Sequence, residues 1–119
     1  MQKLFFEDAW ERTISKQDHD KICDVFSNLQ IDAGISFTFL WEAVNHRGDL
    51  LVTTLIHNNE KASMELKNIY MKYIHDTVTY ADYFTVPIVI PAHHSMPWTF
   101  IFTKQTEGKC DDTTYVIKK

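Results

Sequence analysis

Glycine and proline are scarce, with three of each in 119 residues. A collagen-like or low-complexity chain needs one or both in quantity, so both are excluded. Cysteine is scarce too. Cys23 and Cys110 lie far apart and form no C-x-x-C pair. The expectation is two free thiols, Cys23 on a helix and Cys110 in a loose tail. No apolar stretch is long enough for a helix to span a bilayer. Basic residues are in deficit: 12 Lys and Arg against 16 Asp and Glu leave a net charge of −4. Nothing electrostatic therefore points to nucleic acid as a partner. The first apolar run stops at Phe6, ahead of Glu7 and Asp8. A secretory signal needs about 7–15 apolar residues, so the expected location is cytoplasmic, with a peripheral position at the membrane kept open.

What is present is apolar and aromatic. Hydrophobic residues make up 45% and aromatics 13%, enough to bury a core without metal or disulfide staples. Leu4-Phe5-Phe6 reads as a short strand, with Trp10 and Ile14 on the link that follows. Ser15-Lys16-Gln17-Asp18 reads as an N-cap with an acid at the third helical position. Ile22, Val25, Phe26 and Leu29 then follow helical spacing, which gives one helix over about 16–30. After Gly34 the period drops to two. Ile35, Phe37, Phe39, Trp41 and Ala43 share one face of a strand. Asn45 to Asp49 makes a hairpin turn, and Leu50 to His57 a second strand. Asn58 to Lys61 turns again. Met64 and Leu66 lie on one parity and Ile69, Met71 and Tyr73 on the other, so a bulge or break is expected near Asn68. Thr77 to Thr85 is a further strand. Pro87 and Pro91 bracket Ile88-Val89-Ile90, which places that piece at a sheet edge or in an extended connection. Trp98, Phe100 and Phe102 alternate in another strand.

The resulting expectation is a mainly β chain, an immunoglobulin-like antiparallel β-sandwich of six to seven strands with one N-terminal α-helix. The sandwich would occupy about 35–104 within one domain, 1–104. Residues 105–119 form a polar tail, with Tyr115-Val116-Ile117 as an optional edge strand.

Candidate chemistry is thin. His93-His94 could supply metal ligands, and with Met96 and Cys110 suggests a cupredoxin-like copper site. That site requires a second His and a Met after the Cys, and none follows Cys110. His19, His57, His75 and Asp76 make no zinc spacing. There is no G-x-S-x-G elbow and no glycine-rich phosphate loop. Asp111-Asp112 sits where nothing would hold it. Arg47-Gly48-Asp49 reads as a turn. The sequence thus gives no catalytic residue, no cofactor and no metal ligand set, and the expectation is a non-enzyme. The aromatics say more. Most of Phe37, Phe39, Trp41, Trp98, Phe100 and Phe102 should be core. Tyr70, Tyr73, Tyr80 and Tyr83, with Trp98, are the candidate partner-binding residues, because half-buried aromatics suit interfaces. The competing reading is a small-ligand or metal-binding sandwich that uses the His93/His94 loop.

Three segments carry a resemblance. Leu4 to Ser15 with the helix Asp18 to Phe26, then Glu42 to Asn58, and then Pro87 to Pro91 with Ser95-Met96-Pro97-Trp98-Thr99-Phe100-Ile101-Phe102, resemble in order the SLAP domain family. The resemblance covers roughly residues 3–104. It implies a soluble factor that assists S-layer protein assembly or export alongside an accessory SecA-type translocation system in Gram-positive bacilli. The implied partners are S-layer or surface-protein precursors, or translocase components, with a homodimer kept open. It brings no catalytic residues. The chain holds one copy of the domain, where better-known assembly proteins carry more, and the tail after Lys104 shows no likeness to the family.

Overall fold

A computed structural model describes residues 2–103 and 115–119. Cys110 and Asp111-Asp112, read above as parts of a tail, lie outside the described residues.

The chain begins with β1 (Lys3–Leu4) and two helices, α1 (Asp8–Thr13) and α2 (Lys16–Ser27). Then come β2 (Gly34–Val44), β3 (Leu50–Asn59), β4 (Met64–His75), β5 (Val78–Ile90), β6 (His94–Phe102) and β7 (Tyr115–Lys118). They form two sheets: sheet A in the order β1-β6-β3-β2, and sheet B in the order β5-β4-β7. The mainly β sandwich expected from the alternation is present.

Three details differ from expectation. The link through Trp10 is itself a helix: the Glu7 carboxylate accepts from the Ala9 N–H at 3.0 Å, and Asp8 and Glu11 sit in the first turn. An acid-rich start favours a helix, so the N-terminus holds two helices. The longer one begins where expected, with Ser15 Oγ accepting from the Asp18 N–H at 3.1 Å, but it ends at Ser27. Second, the sheets are mixed. β1 lies parallel to β6, and β7 parallel to β4. Both pairings join strands far apart in sequence, where no hairpin dictates direction.

The third difference lies within β2. The ladder with β3 shifts between Phe39 and Trp41, which leaves Leu40 as an extra residue. A bulge of one residue reverses parity. Phe37 and Phe39 pack into the core between the sheets, while Leu40 and Trp41 join the apolar layer under the helices. The single face from Ile35 to Ala43 is therefore split. The irregularity expected near Asn68 does occur: the β4/β5 register shifts between Leu66 and Ile69, and Asn68 sits at φ 50°.

The main core lies between the sheets, with Tyr73, Phe100, Phe102, Met71, Met96 and Ile117 fully buried. Phe84 meets Phe100 and Phe102 edge-on, at 5.1 Å in each case, a favoured aromatic geometry. A smaller layer of Ile22, Leu40 and Leu55 holds the helices on the outer face of sheet A. Gly48, at φ 86°, closes the β2–β3 hairpin, in which Asn45 Oδ1 accepts from the Arg47 and Asp49 N–H groups. Arg47-Gly48-Asp49 is thus a turn, and the Arg47 guanidinium lies 3.8 Å from Asp49.

Candidate functional site

The two sheets differ on their outer faces. The helices cover part of sheet A's. On β4 of sheet B, Ile69, Met71 and Tyr73 face the core, so Tyr70 faces away from it. Tyr70 lies opposite Tyr83 in the β4–β5 register, and the rings pair at 4.8 Å. Tyr83 is 55% exposed and Val116, on the opposite edge strand β7, 39%. Both β5 and β7 are edge strands, as Pro87 and the optional last strand had suggested. Near Pro87 the β5 chain loops out between its partners at Val86 and Ile90, because proline cannot donate to the ladder. Val89 is exposed there.

The five aromatic residues singled out from the sequence therefore divide. Tyr70 and Tyr83 form an outward pair. Tyr73 is fully buried, with its ring stacked on Phe39 at 5.8 Å. Tyr80 and Trp98 are half-buried and pack against the inter-sheet core. Tyr73 is a core residue and Tyr80 and Trp98 border the core, and period-two spacing alone could not separate them from the outward pair.

The Tyr73 hydroxyl finds its partner at the β2–β7 side of the sandwich. It donates to Glu42 Oε2 at 3.0 Å, and Lys119 Nζ donates to Glu42 Oε1 at 2.8 Å. His75 Nδ1 lies 3.2 Å from the same oxygen. The Lys119 ammonium, helped by the Tyr73 hydroxyl and opposed by burial, holds the Glu42 carboxyl below its usual range. Burial and the Glu42 contact push the Tyr73 hydroxyl upward, so it stays protonated. This knot ties β2 of sheet A to β4 and β7 of sheet B. Sequence spacing gave no signal for it, because its members are brought together only by the fold.

A second polar group lies inside sheet A. His57 Nδ1 is 2.6 Å from Ser95 Oγ, and His57 Nε2 is 2.8 Å from Thr38 Oγ1. Gln2 Nε2 donates to Ser95 Oγ at 3.1 Å. Burial lowers the His57 pKa to about 4, so the ring is neutral at neutral pH. Both His57 and Ser95 are buried, and a serine–histidine pair without access to solvent has no route to a substrate. The pair satisfies buried polar atoms.

His93 and His94 are engaged as well. His93 Nδ1 is 2.9 Å from Asn59 Oδ1, and His94 Nδ1 is 2.8 Å from the Ala92 carbonyl oxygen. Among the described residues no group of three or more His, Cys, Asp or Glu side chains could hold a metal. No helix in the described residues is long and apolar enough to cross a membrane.

A cleft of about 600 Å3 lies between α1 and the outer face of sheet A, with Trp10, Ile14, Trp41, Leu51, Thr53 and Thr99 on its walls. It exists because the bulge at Leu40 turns Trp41 outward and because α1 bridges over the sheet. Neither feature was legible in the sequence pattern.

Comparison with known proteins gives one match. The family model described as SLAP domain matches residues 4–115. That span runs beyond Lys104 to Tyr115, the first residue of β7. No curated protein and no solved structure matches. Three motif segments in order, the mixed two-sheet sandwich that holds them, and a match over nearly the whole chain lead to one statement of kinship: this chain belongs to the SLAP domain family.

Proposed function

We propose that this chain is a non-catalytic protein-binding domain that assists the assembly or accessory-Sec export of S-layer or other surface-protein precursors. It would act in the cytoplasm, at times peripherally at the membrane, and without a cofactor. Family membership supports the setting. The observation that carries the binding role is the outward Tyr70–Tyr83 pair on sheet B. Tyrosine is enriched at interface hot spots because it offers a large rigid apolar area and a polar tip. Tyr83 lies on the edge strand β5 itself, and the other edge, β7, borders Tyr70's strand β4, so an extended client segment could add to sheet B while the rings contact its side chains. The closed Ser95–His57 pair supports the non-enzymatic half of the reading.

The test is capture of purified S-layer precursors by the immobilised chain, read by biolayer interferometry. Tyr83→Ala and Tyr70→Ala should each weaken capture by about tenfold, the equivalent of about 1.4 kcal/mol. Val89→Pro and Val116→Pro probe the two edges. Unchanged capture by all four variants would sink strand addition at sheet B.

A further inference from the structure

One edge of sheet A is half empty among the described residues. β1 covers β6 only at His94 and Ser95. The Lys3 N–H donates to the His93 carbonyl at 2.9 Å and the Phe5 N–H to the Ser95 carbonyl at 3.0 Å. The chain then leaves the sheet for α1. Carbonyls at 93 and 95 face this edge, so strand alternation turns the backbone groups of Pro97, Thr99 and Ile101 to the same side. The unbroken register of β6 with β3 agrees with this, since Pro97, which has no N–H, cannot donate to β3. Beyond Pro97, the N–H and C=O of Thr99 and Ile101 have no strand partner among the described residues.

Exposed edges are normally guarded by charge, proline or a bulge. The other edges follow that rule: β2 is bulged at Leu40, β7 ends in Lys118-Lys119, and β5 carries Asp82 and the bulged Pro87. On this edge Pro97 guards only the start: the stretch Trp98-Thr99-Phe100-Ile101-Phe102 carries no charge and no proline, and Ile101 is 45% exposed. It is also continuous with an apolar surface. Cross-strand register sets Ala43, Leu51 and Ile101 in one row on the outer face, and Trp41, Thr53 and Thr99 in the next. The second row floors the cleft under α1.

We propose that this edge pairs with the same edge of a second copy of the chain, antiparallel about Phe100. Thr99 would then face the second copy's Ile101, each N–H donating to the other's carbonyl, and the two-fold axis repeats the pair. Four backbone hydrogen bonds result, and the two four-stranded sheets become one. The open stretch spans two residues on each side of Phe100, so the β1 chains of both copies stay clear of the seam. Each Ile101 side chain lands beside the second copy's Thr99, at the mouth of its cleft, and one rotation therefore covers both the open stretch beyond Pro97 and the apolar floor beside it. The surface is isologous, as closed dimers require. This inference is independent of client binding at sheet B.

The test is sedimentation equilibrium of the full chain from micromolar to near-millimolar concentration. The expected mass rises from 14.0 kDa toward twice that value. Ile101→Lys places two charges in the seam and should weaken the dimer at least tenfold, and because the site is exposed its melting temperature should match the parent's at low concentration, where both are monomeric. Tyr83→Lys, on the opposite sheet, should leave the dimer intact. In a Cys23→Ser/Cys110→Ser background, Thr99→Cys combined with Ile101→Cys should oxidise to a covalent dimer, whereas either substitution alone should not. A monomer at every concentration overturns the proposal. So does a dimer that survives Ile101→Lys or one that is lost in Tyr83→Lys.

Discussion

Between the two sheets the buried core is large and includes aromatic rings, and between the helices and sheet A it is small and its buried centre is aliphatic. The first holds Tyr73, Phe100 and Phe102 fully buried, with Phe37, Phe39, Phe84 and Tyr80 against them. The second has Ile22, Leu40 and Leu55 at its centre, ringed by half-buried Trp10, Ile14, Phe26 and Trp41. The inter-sheet layer closes on itself through many ring contacts. The helix layer does not close: it leaves the cleft under α1 and shares its sheet with the buried His57–Ser95 pair. Regular alternation builds the first layer. Two departures from regularity, the bulge at Leu40 and the capped helices, build the second. The stable part of the domain is thus its aromatic sandwich, and the helix side is where it remains open.

That contrast is broken most directly by Phe100→Ala. Phe100 is almost fully buried and touches both Phe37 and Phe84. Removing such a ring costs about 3–5 kcal/mol, measured by urea unfolding at neutral pH. Ile22 is equally buried, but in the smaller layer under the helices. Ile22→Val should cost only about 1 kcal/mol. The like-for-like partner is Ile56→Val in the inter-sheet layer, which should cost more than Ile22→Val; equal losses in those two would mean that the layers are equally tight, against the reading above.

Between these two in size lies an acid effect confined to the helix side of sheet A. The His57 pKa falls from its ordinary 6.5 to about 4 in the folded protein. The unfolded chain therefore takes up a proton at a pH where the folded one does not. Its contribution to stability is complete above pH 6.5 and is lost as the pH falls toward 4, by about 3 kcal/mol in all. Most of that loss falls above pH 4.5, the pH at which the Glu42 carboxyl of the unfolded chain is half protonated. Urea midpoints between pH 7 and 4.5 would show the slope. His57→Gln should flatten it while lowering stability at pH 7, and an unchanged slope would assign the acid sensitivity to other groups.

The inter-sheet layer was the legible part of the molecule. Period-two runs at Phe37-Phe39 and at Trp98-Phe100-Phe102 report a buried face directly, because side-chain alternation is a property of the strand itself. The change of parity near Asn68 was legible for the same reason. The bulge at Leu40 was not, since Ile35 to Ala43 alternates without a flaw in the sequence, and only pairing with β3 forces the extra residue. α1 was missed because six residues give too short a period to read. At the candidate sites the limit was similar. Tyr70 and Tyr73 are both tyrosines on one strand, and only sheet B's packing decides that one faces out and the other faces Phe39. The open edge of β6 depends on where β1 stops, which no local pattern encodes.

The smallest expected effect tests the seam that holds the two sheets together at their β2–β7 side. Lys119 Nζ sits 2.8 Å from Glu42 Oε1 and 5.9 Å from the centroid of the Phe39 ring. Lys119 is 42% exposed, so water screens the pair and its contribution is small, below about 1 kcal/mol. Its signature is therefore sought in pH dependence. Glu42 is held below its ordinary value of 4.5, first by Lys119 and then by the Tyr73 hydroxyl. A carboxyl with a lowered folded pKa contributes stability above its unfolded value and loses it as the pH falls through the folded one. Lys119→Ala should bring the Glu42 pKa back toward 4.5 and shrink the stability lost below that pH. The Tyr73 hydrogen bond remains, so the shift should be partial. Carbon-13 NMR titration of the Glu42 carboxyl in the parent and the variant would read it directly. An identical titration in both would remove Lys119 from the seam and leave Tyr73 as the link that sets the Glu42 charge.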